Sequence, residues 1–141
     1  MFIICDLDGT LADIEHRRHF ITNGRRDWPG FFAACPDDTP ISPVVETVKT
    51  LAAAGHRVEI WSGRSDEVRE KTEAWLKAAG LGGLPLTMRR HGDHTPDDQL
   101  KESWLLAEAT PPDLVFDDRN KVVAMWRRHG IVCAQVAPGD F

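Results

Sequence analysis

Asp6 and Asp8 stand two residues apart at the end of a short apolar run, Phe2-Ile3-Ile4-Cys5, and are followed at once by Gly9 and Thr10. An apolar run of this length reads as a buried strand of a parallel sheet. Whatever follows such a strand lies at its carboxyl end, where open α/β sheets keep their active sites. Side chains alternate along a strand, so positions 6 and 8 share a side until the glycine turns the backbone and aims both acids at one small volume. One carboxylate beside a second carboxyl suits a nucleophile paired with a proton donor. Taken alone, Asp8-Gly9 would be ordinary turn chemistry, with the carboxylate bonding to its own backbone.

The remaining strand-like runs argue for more than a turn. Arg57 to Trp61 leads into Ser62-Gly63-Arg64, Pro85 to Met88 into Arg89-Arg90, and Leu114 to Phe116 into Asp117-Asp118. A hydroxyl, a backbone amide and a guanidinium at one strand end are what a phosphate oxygen needs. Asp117-Asp118 ahead of a helix would by itself be N-terminal capping. With Asp6 at the end of another strand, the acids converge instead. Two such charges ~4 Å apart repel by ~4 kcal/mol at an effective dielectric of ~20, so a cation is needed. Hard oxygen ligands around a phosphate favour Mg²⁺ over zinc. Asp97 and Lys101, one helical turn apart, would elsewhere be a routine surface pair. At the start of the helix after the third strand they lie near the same edge, where Lys101 can neutralise a phosphate and Asp97 can hold it in place.

The elements that position these groups follow from periodicity and punctuation. The first strand covers Phe2 to Asp6. Helices are predicted from Ser42 as cap, with Pro43 at the first position, to Gly55; from Asp66 to Ala79; from Thr95-Pro96 to Ala109; and from Asn120 to His129. A fifth strand spans Ile131 to Val136. Strands alternating with helices predict an α/β fold of three layers, Rossmann-like, with a central parallel sheet of about five strands and helices on both faces. Residues 13–40 show no clear period. They mix turn formers (Asn23-Gly24, Trp28-Pro29-Gly30, Pro36-Asp37-Asp38) with Phe20, Trp28, Phe31 and Phe32, which predicts a lid-like excursion with one or two short helices, a minimal cap over the site. Its aromatics form either a small satellite core or a stacking platform for a nucleobase, a stack being worth ~1 to 3 kcal/mol.

Composition narrows the class. A chain of 141 residues is expected to form a single domain, and 42% apolar with 28% charged residues is globular usage. No apolar run approaches the ~20 residues that cross a membrane, and no basic region precedes the N-terminal apolar run, so neither membrane association nor a signal peptide is expected. Cys5, Cys35 and Cys133 are scattered without a CxxC pair, which predicts free thiols in a cytoplasmic protein. A formal charge of −5 argues against tight binding of duplex nucleic acid and leaves a short single-stranded end as a possible partner. Arg17, Arg18, Arg25 and Arg26 follow the first turn and can gather over one site with Arg64 and Arg89. At least two of Arg18, Arg25 and Arg26 are expected to remain solvated.

The strings DLDGTL, SGR, DDQLK and DDR occur in the order used by the haloacid dehalogenase superfamily of phosphotransferases. The chain most resembles the phosphatase domain of phage polynucleotide kinase/phosphatase enzymes over nearly its whole length, above all in VVAMWRRHGIVCAQVAPGDF. The resemblance implies that Asp6 is the nucleophile forming a phosphoaspartate, and that Asp8 first protonates the leaving alkoxide and then activates water. It implies that Lys101, Ser62 and Gly63 bind the transferring phosphoryl, with Thr10, Arg17, Arg64 and Asp97 also at the phosphate. It implies Mg²⁺ held by Asp6, the backbone carbonyl of Asp8 and one or both of Asp117 and Asp118. The substrate class so implied is a 3′-phosphate on a polynucleotide end or nucleotide. Nucleoside 5′-monophosphates or other small phosphoesters are the alternative on the same chemistry, and a receiver-like domain that holds phosphate and signals by shape is the non-enzymatic one. No GxxxxGK[ST] phosphate loop is present, so kinase activity is not expected.

Overall fold

The computed structural model describes residues 1–141. In chain order its elements are β1 (Phe2–Cys5), β2 (Ala12–Asp13), α1 (Trp28–Ala33), β3 (Thr39–Pro40), α2 (Ser42–Ala53), β4 (Arg57–Ser65), α3 (Arg69–Ala78), β5 (Leu86–Arg89), α4 (Asp97–Ala107), β6 (Leu114–Asp117), α5 (Asn120–Arg128) and β7 (Val132–Gln135). Five strands pair in the order β5-β4-β1-β6-β7, every pair parallel, with β1 in the centre. All four residues of β1 are buried, which is why its sequence is apolar on both faces.

Strand alternation divides the core in two. Ile3, Cys5, Val58 and Ile60 pack with Val45 and Val48 of α2 and with Trp75 and Leu76 of α3. Phe2, Ile4, Trp61 and Val115 pack with Leu105 of α4 and with Val122, Val123, Met125 and Trp126 of α5. Helices therefore cover both faces, as the alternation predicts. Each fully buried Ile or Leu adds ~1.5 to 3 kcal/mol. The partition also assigns the catalytic edge: Asp6, in phase with Phe2 and Ile4, leaves the sheet on the α4–α5 side.

The segment of residues 13–40 lies between the first sheet strand and α2. A 3₁₀ turn covers Glu15–Phe20, α1 follows, a second 3₁₀ turn covers Cys35–Asp37, and β2 and β3 pair antiparallel at its neck. Asn23 and Gly24 both take positive φ, so that pair is the turn expected of it. Trp28-Pro29-Gly30, expected as a turn, instead opens α1: Asp27 accepts from the Gly30 N–H, and the proline takes an early position where no N–H is needed. Ser42, expected as the cap of α2, makes no capping bond and is the first helical residue. Leu11 restrains the chain there by accepting from the Ile41 N–H. Helix α4 starts at Asp97, with Pro96 just outside it, and stops at Ala107, ahead of Pro111-Pro112. The largest shift is in the second sheet strand, which continues past Trp61 to Ser65. Ser62, Gly63 and Arg64 lie within it, where a register shift against β5 between Ser62 and Ser65 marks a bulge.

Candidate active site

Asp6 leaves β1 at the carboxyl edge with its backbone N–H still bonded to the Phe116 carbonyl of β6. Its Oδ1 accepts from Lys101 Nζ of α4 at 2.6 Å, and its Oδ2 accepts from the Thr10 hydroxyl at 3.0 Å. Lys101 is buried and also donates to Asp117 Oδ2 at 3.1 Å, with Asp97 Oδ2 at 4.0 Å. Burial disfavours its ammonium, but Asp117, Asp6 and Asp97 outweigh that and hold its pKa well above the ordinary lysine value. Asp118 follows at the start of the next loop, with Oδ1 3.4 Å from the Thr10 hydroxyl.

Gly9 makes this convergence possible. Its φ of +80° is one that side chains rarely adopt, and a Cβ there would collide with the Asp118 carboxylate. Gly63 does the same for Asp97, whose carboxylate occupies the space a Cβ would need.

Oxygens of Asp6, Asp117 and Asp118 all lie within 4.8 Å of one another, and all three residues are buried. Against three carboxylates the only cation in contact is Lys101. The imbalance shows in the acids themselves. Burial pushes the Asp6 carboxyl well above its ordinary value despite Lys101, with Asp117 and Asp118 adding to the rise. Burial, then Asp117, pushes Asp118 up to about 6. A cluster that must otherwise retain protons fits a cation, and its all-oxygen donor set fits a hard divalent one.

Asp8 turns the other way. Its Oδ1 accepts three guanidinium bonds: Arg64 Nε at 2.8 Å, Arg64 Nη2 at 2.7 Å and Arg17 Nη2 at 2.8 Å. No hydrogen bond falls on Oδ2, and the side chain stays 22% exposed at the cleft. Burial raises the Asp8 pKa, but Arg64 and then Arg17 outweigh it, so the carboxyl sits below its ordinary range. Both guanidiniums are completely buried. Arg64 Nη1 reaches the Thr72 hydroxyl of α3 at 3.2 Å. Arg17 Nη1 reaches the Phe31 carbonyl at 3.2 Å and lies 4.2 Å above the Phe31 ring.

What holds the two arginines is Asp38, from the turn-forming string Pro36-Asp37-Asp38. Asp38 accepts from Arg17 Nε at 2.8 Å and Nη2 at 2.7 Å, and from Arg64 Nη2 at 2.9 Å. His16 Nε2 lies 2.6 Å from its Oδ1, and the Asp38 backbone carbonyl accepts from Trp75 Nε1 at 2.8 Å. Nothing in Pro36-Asp37-Asp38 distinguishes this carboxylate from a solvated one. The available signal was indirect: two arginines bound for burial beside Asp8 need a second acid.

Asp6, Asp8, Gly63, Asp97, Asp117 and Asp118 reach the surface of one cleft of about 780 Å³. Thr10, Arg17, Arg64 and Lys101 lie behind them and bond to the carboxylates, and Ser62, also buried, accepts from the Arg64 N–H through Oγ at 3.1 Å. One wall of the cleft is the excursion, with Trp28, Phe31 and Phe32. Phe31 is buried under Arg17, and Trp28 is 44% exposed. Arg89 lines the same cleft, with its guanidinium engaged by the carbonyls of Gly63, Asp93 and Thr95 and by Asp97 Oδ1 at 3.4 Å. Arg25, Arg26 and Arg90 are exposed. No helix is long and apolar enough to cross a membrane.

A family model described as the polynucleotide kinase PNKP phosphatase domain matches residues 1–141. Two solved structures of the Pnkp1/Rnl/Hen1 complex, one described as an RNA repair complex, contain a chain 34% identical to this one, with TM-scores of 0.84 and 0.83. Each match covers 99% of this chain, which spans 43% and 47% of the chains matched. The class C acid phosphatase from Bacillus anthracis, solved with tungstate bound, is similar in fold at 16% identity and a TM-score of 0.61, over 83% of this chain and 51% of that one.

Proposed function

The chain belongs to the family of polynucleotide kinase PNKP phosphatase domains, a phosphoric monoester hydrolase of the haloacid dehalogenase type, and from that premise we propose that residues 1–141 act as one Mg²⁺-dependent phosphatase domain on 3′-phosphates of polynucleotide ends or nucleotides. Residues 13–40 serve as its lid. The observation that carries the reading is the division of labour between Asp6, held by a buried ammonium, and Asp8, held by two buried guanidiniums, in one cleft.

Asp6 attacks phosphorus and the ester oxygen departs, leaving a phosphoaspartate. The free Oδ2 of Asp8 carries the proton to the leaving alkoxide, and the resulting carboxylate then takes a proton from the water that hydrolyses the phosphoaspartate. Arg17 and Arg64 keep Asp8 ionised, which suits the second step. In the first step the negative charge of the phosphate arriving beside the free Oδ2 favours the protonated carboxyl, and Asp8 takes that proton from solvent before passing it to the alkoxide. Lys101 balances charge on Asp6 and on the oxygen that arrives beside it. Ser62, Gly63 and Thr10 offer hydroxyls and a backbone N–H at the same edge, and Asp97 orients Lys101.

Asp6, Asp117 and Asp118, with the backbone carbonyl of Asp8, would hold Mg²⁺, which supplies charge compensation for the equatorial oxygens of the transferring group. Trp28 at the cleft wall is available to stack on a base. The receiver-like reading falls with the family assignment. The 3′ reading is supported by the similarity to a chain of an RNA repair complex.

The test is release of inorganic phosphate, with Mg²⁺ and with EDTA, from a 3′-phosphorylated oligonucleotide, a nucleoside 3′-monophosphate and a nucleoside 5′-monophosphate. Metal-dependent release from the 3′ compounds is expected. Release confined to the 5′-monophosphate would replace this reading with a nucleotidase on the same chemistry.

A further inference from the structure

The closing segment Pro138-Gly139-Asp140-Phe141 has no part in the chemistry above. It doubles back over the loop that carries Asp117 and Asp118. The Gly139 carbonyl accepts from the Asn120 N–H at 2.6 Å, and the Phe141 main-chain oxygen accepts from Arg119 Nε at 2.6 Å. Two guanidiniums, one from the excursion and one from the core, thereby lie within cation–π reach of the Phe141 ring. Arg119, from the DDR string, lies 5.2 Å from the ring centre, and Arg18, from the excursion, lies 4.8 Å from it. All three side chains line the cleft.

Neither guanidinium is matched by a buried acid. Arg18 pairs with Glu15, itself 70% exposed, and Arg119, beyond its Nε bond to the Phe141 oxygen, has as its acid only Asp97 at 3.9 Å, too far for a hydrogen bond. The two arginine side chains remain 32% and 33% exposed, so N–H donors on both are free to meet a ligand. This is unlike Arg17 and Arg64, whose forks are filled by Asp8 and Asp38. Arg119 also sits close to the reacting group: Asp97, 3.9 Å from it, is 4.0 Å from the Lys101 ammonium that binds Asp6.

We propose that Arg18 and Arg119, both in contact with the Phe141 ring, form a second anion site for the phosphodiester or 5′-phosphate one nucleoside away from the phosphate transferred at Asp6. Guanidinium forks match phosphate oxygens in shape and charge, and the ring holds both at a fixed spacing through cation–π contact. The site rests on the reading of Asp6 as the acceptor of nucleotide 3′-phosphates. It makes the cleft selective for substrates with two phosphates separated by a nucleoside, which an oligonucleotide end supplies and a mononucleotide does not. Phe141 is the positioning residue, since it bridges an arginine of the excursion to one of the core.

The experiment compares kcat/KM for phosphate release from a nucleoside 3′,5′-bisphosphate and from the matching nucleoside 3′-monophosphate, in Mg²⁺, for the unaltered protein and for Arg18→Gln, Arg119→Gln and Phe141→Leu. Two charge-assisted contacts are expected to favour the bisphosphate by roughly tenfold or more. Each variant should shrink that preference, mainly through KM for the bisphosphate, and added salt should erode it in the unaltered protein. Equal use of the two substrates by the unaltered protein, or variants that keep its preference, would overturn the site. Arg18→Gln, on the excursion, carries the test even if a change beside Asp118 disturbs folding. If neither 3′ compound is hydrolysed, the 3′ reading fails instead. Calorimetric binding of the same two compounds to the unaltered protein and to Arg18→Gln then reads the site independently, equal affinities counting against it.

Discussion

Asp6 and Asp8 are two residues apart in the chain and end in opposite electrostatic company. On the α4–α5 side, Asp6, Asp117 and Asp118 face a single ammonium. On the α2–α3 side, Asp8 and Asp38 face two guanidiniums, and the charges balance. The first group is incomplete without a cation and the second is closed upon itself. Burial raises the acids of the first, and the arginines outweigh burial at Asp8 of the second. The proposed chemistry uses both, a nucleophile that a cation would keep deprotonated and a carboxyl whose protonation is set by its arginines and by the charge of an arriving substrate.

The most drastic way to probe the contrast is Asp6→Asn, which removes the nucleophile while leaving a side chain of the same shape. Phosphate release should fall by at least ~1,000-fold with the circular dichroism spectrum unchanged. Turnover within tenfold of normal would assign the nucleophile elsewhere. Asp38→Asn attacks the balanced side without touching the cleft. Two buried guanidiniums would then share one carboxylate, and stability measured in denaturant should drop by about 3 kcal/mol. A loss under ~1 kcal/mol would mean that water relieves the arginines and that the closed network is not closed.

A subtler separation comes from pH. In metal-free protein the raised pKa of Asp118, about 6, means that the folded state binds a proton the unfolded chain lacks between its ordinary value and 6. Stability should therefore rise as pH falls from 7 towards 5. Asp8 acts with the opposite sign: its lowered pKa gives stability that is present above its ordinary value and lost as pH falls through the folded one. Saturating Mg²⁺ should level the rise between pH 7 and 5, and the Mg²⁺ concentration for half-activity should increase as pH drops through about 6, because the ion must displace that proton. Melting curves and Mg²⁺ titrations that ignore pH across this window would contradict the metal side of the comparison. The smallest effect belongs to Arg25→Ala. Arg25 is exposed and only flanks the Phe20 ring at 5.9 Å, so stability should move by no more than ~0.5 kcal/mol. A larger change would show the excursion to be more tightly coupled to the core than its contacts imply.

The sheet and its catalytic edge were legible from the chain alone. Apolar runs at residues 2–5 and 114–116 could not be satisfied except inside a sheet covered on both faces, and they, like the alternating run at 57–61, emptied their polar residues at the same end. Lys101 was legible because its spacing from Asp97 placed it on the first turns of the right helix. Boundaries were less so. The strand beyond Trp61 continues through Ser62 and Arg64 by a bulge against β5, and bulges depend on a partner strand that local composition does not reveal.

Two things belonged to tertiary structure alone. One is Asp38, a carboxylate with the local look of a surface turn, which becomes the counter-charge of two buried arginines only because Arg17, Arg64 and Trp75 arrive from three separate elements. The other is the sorting of Asp6 from Asp8. The chain determined that both acids would reach one edge, since strand phase and a following glycine are local properties. Which acid met an ammonium and which met guanidiniums was decided by the direction the chain took after Gly9 and by the helices packed on each face, because electrostatic neighbours are set by distance in space and not by separation in sequence.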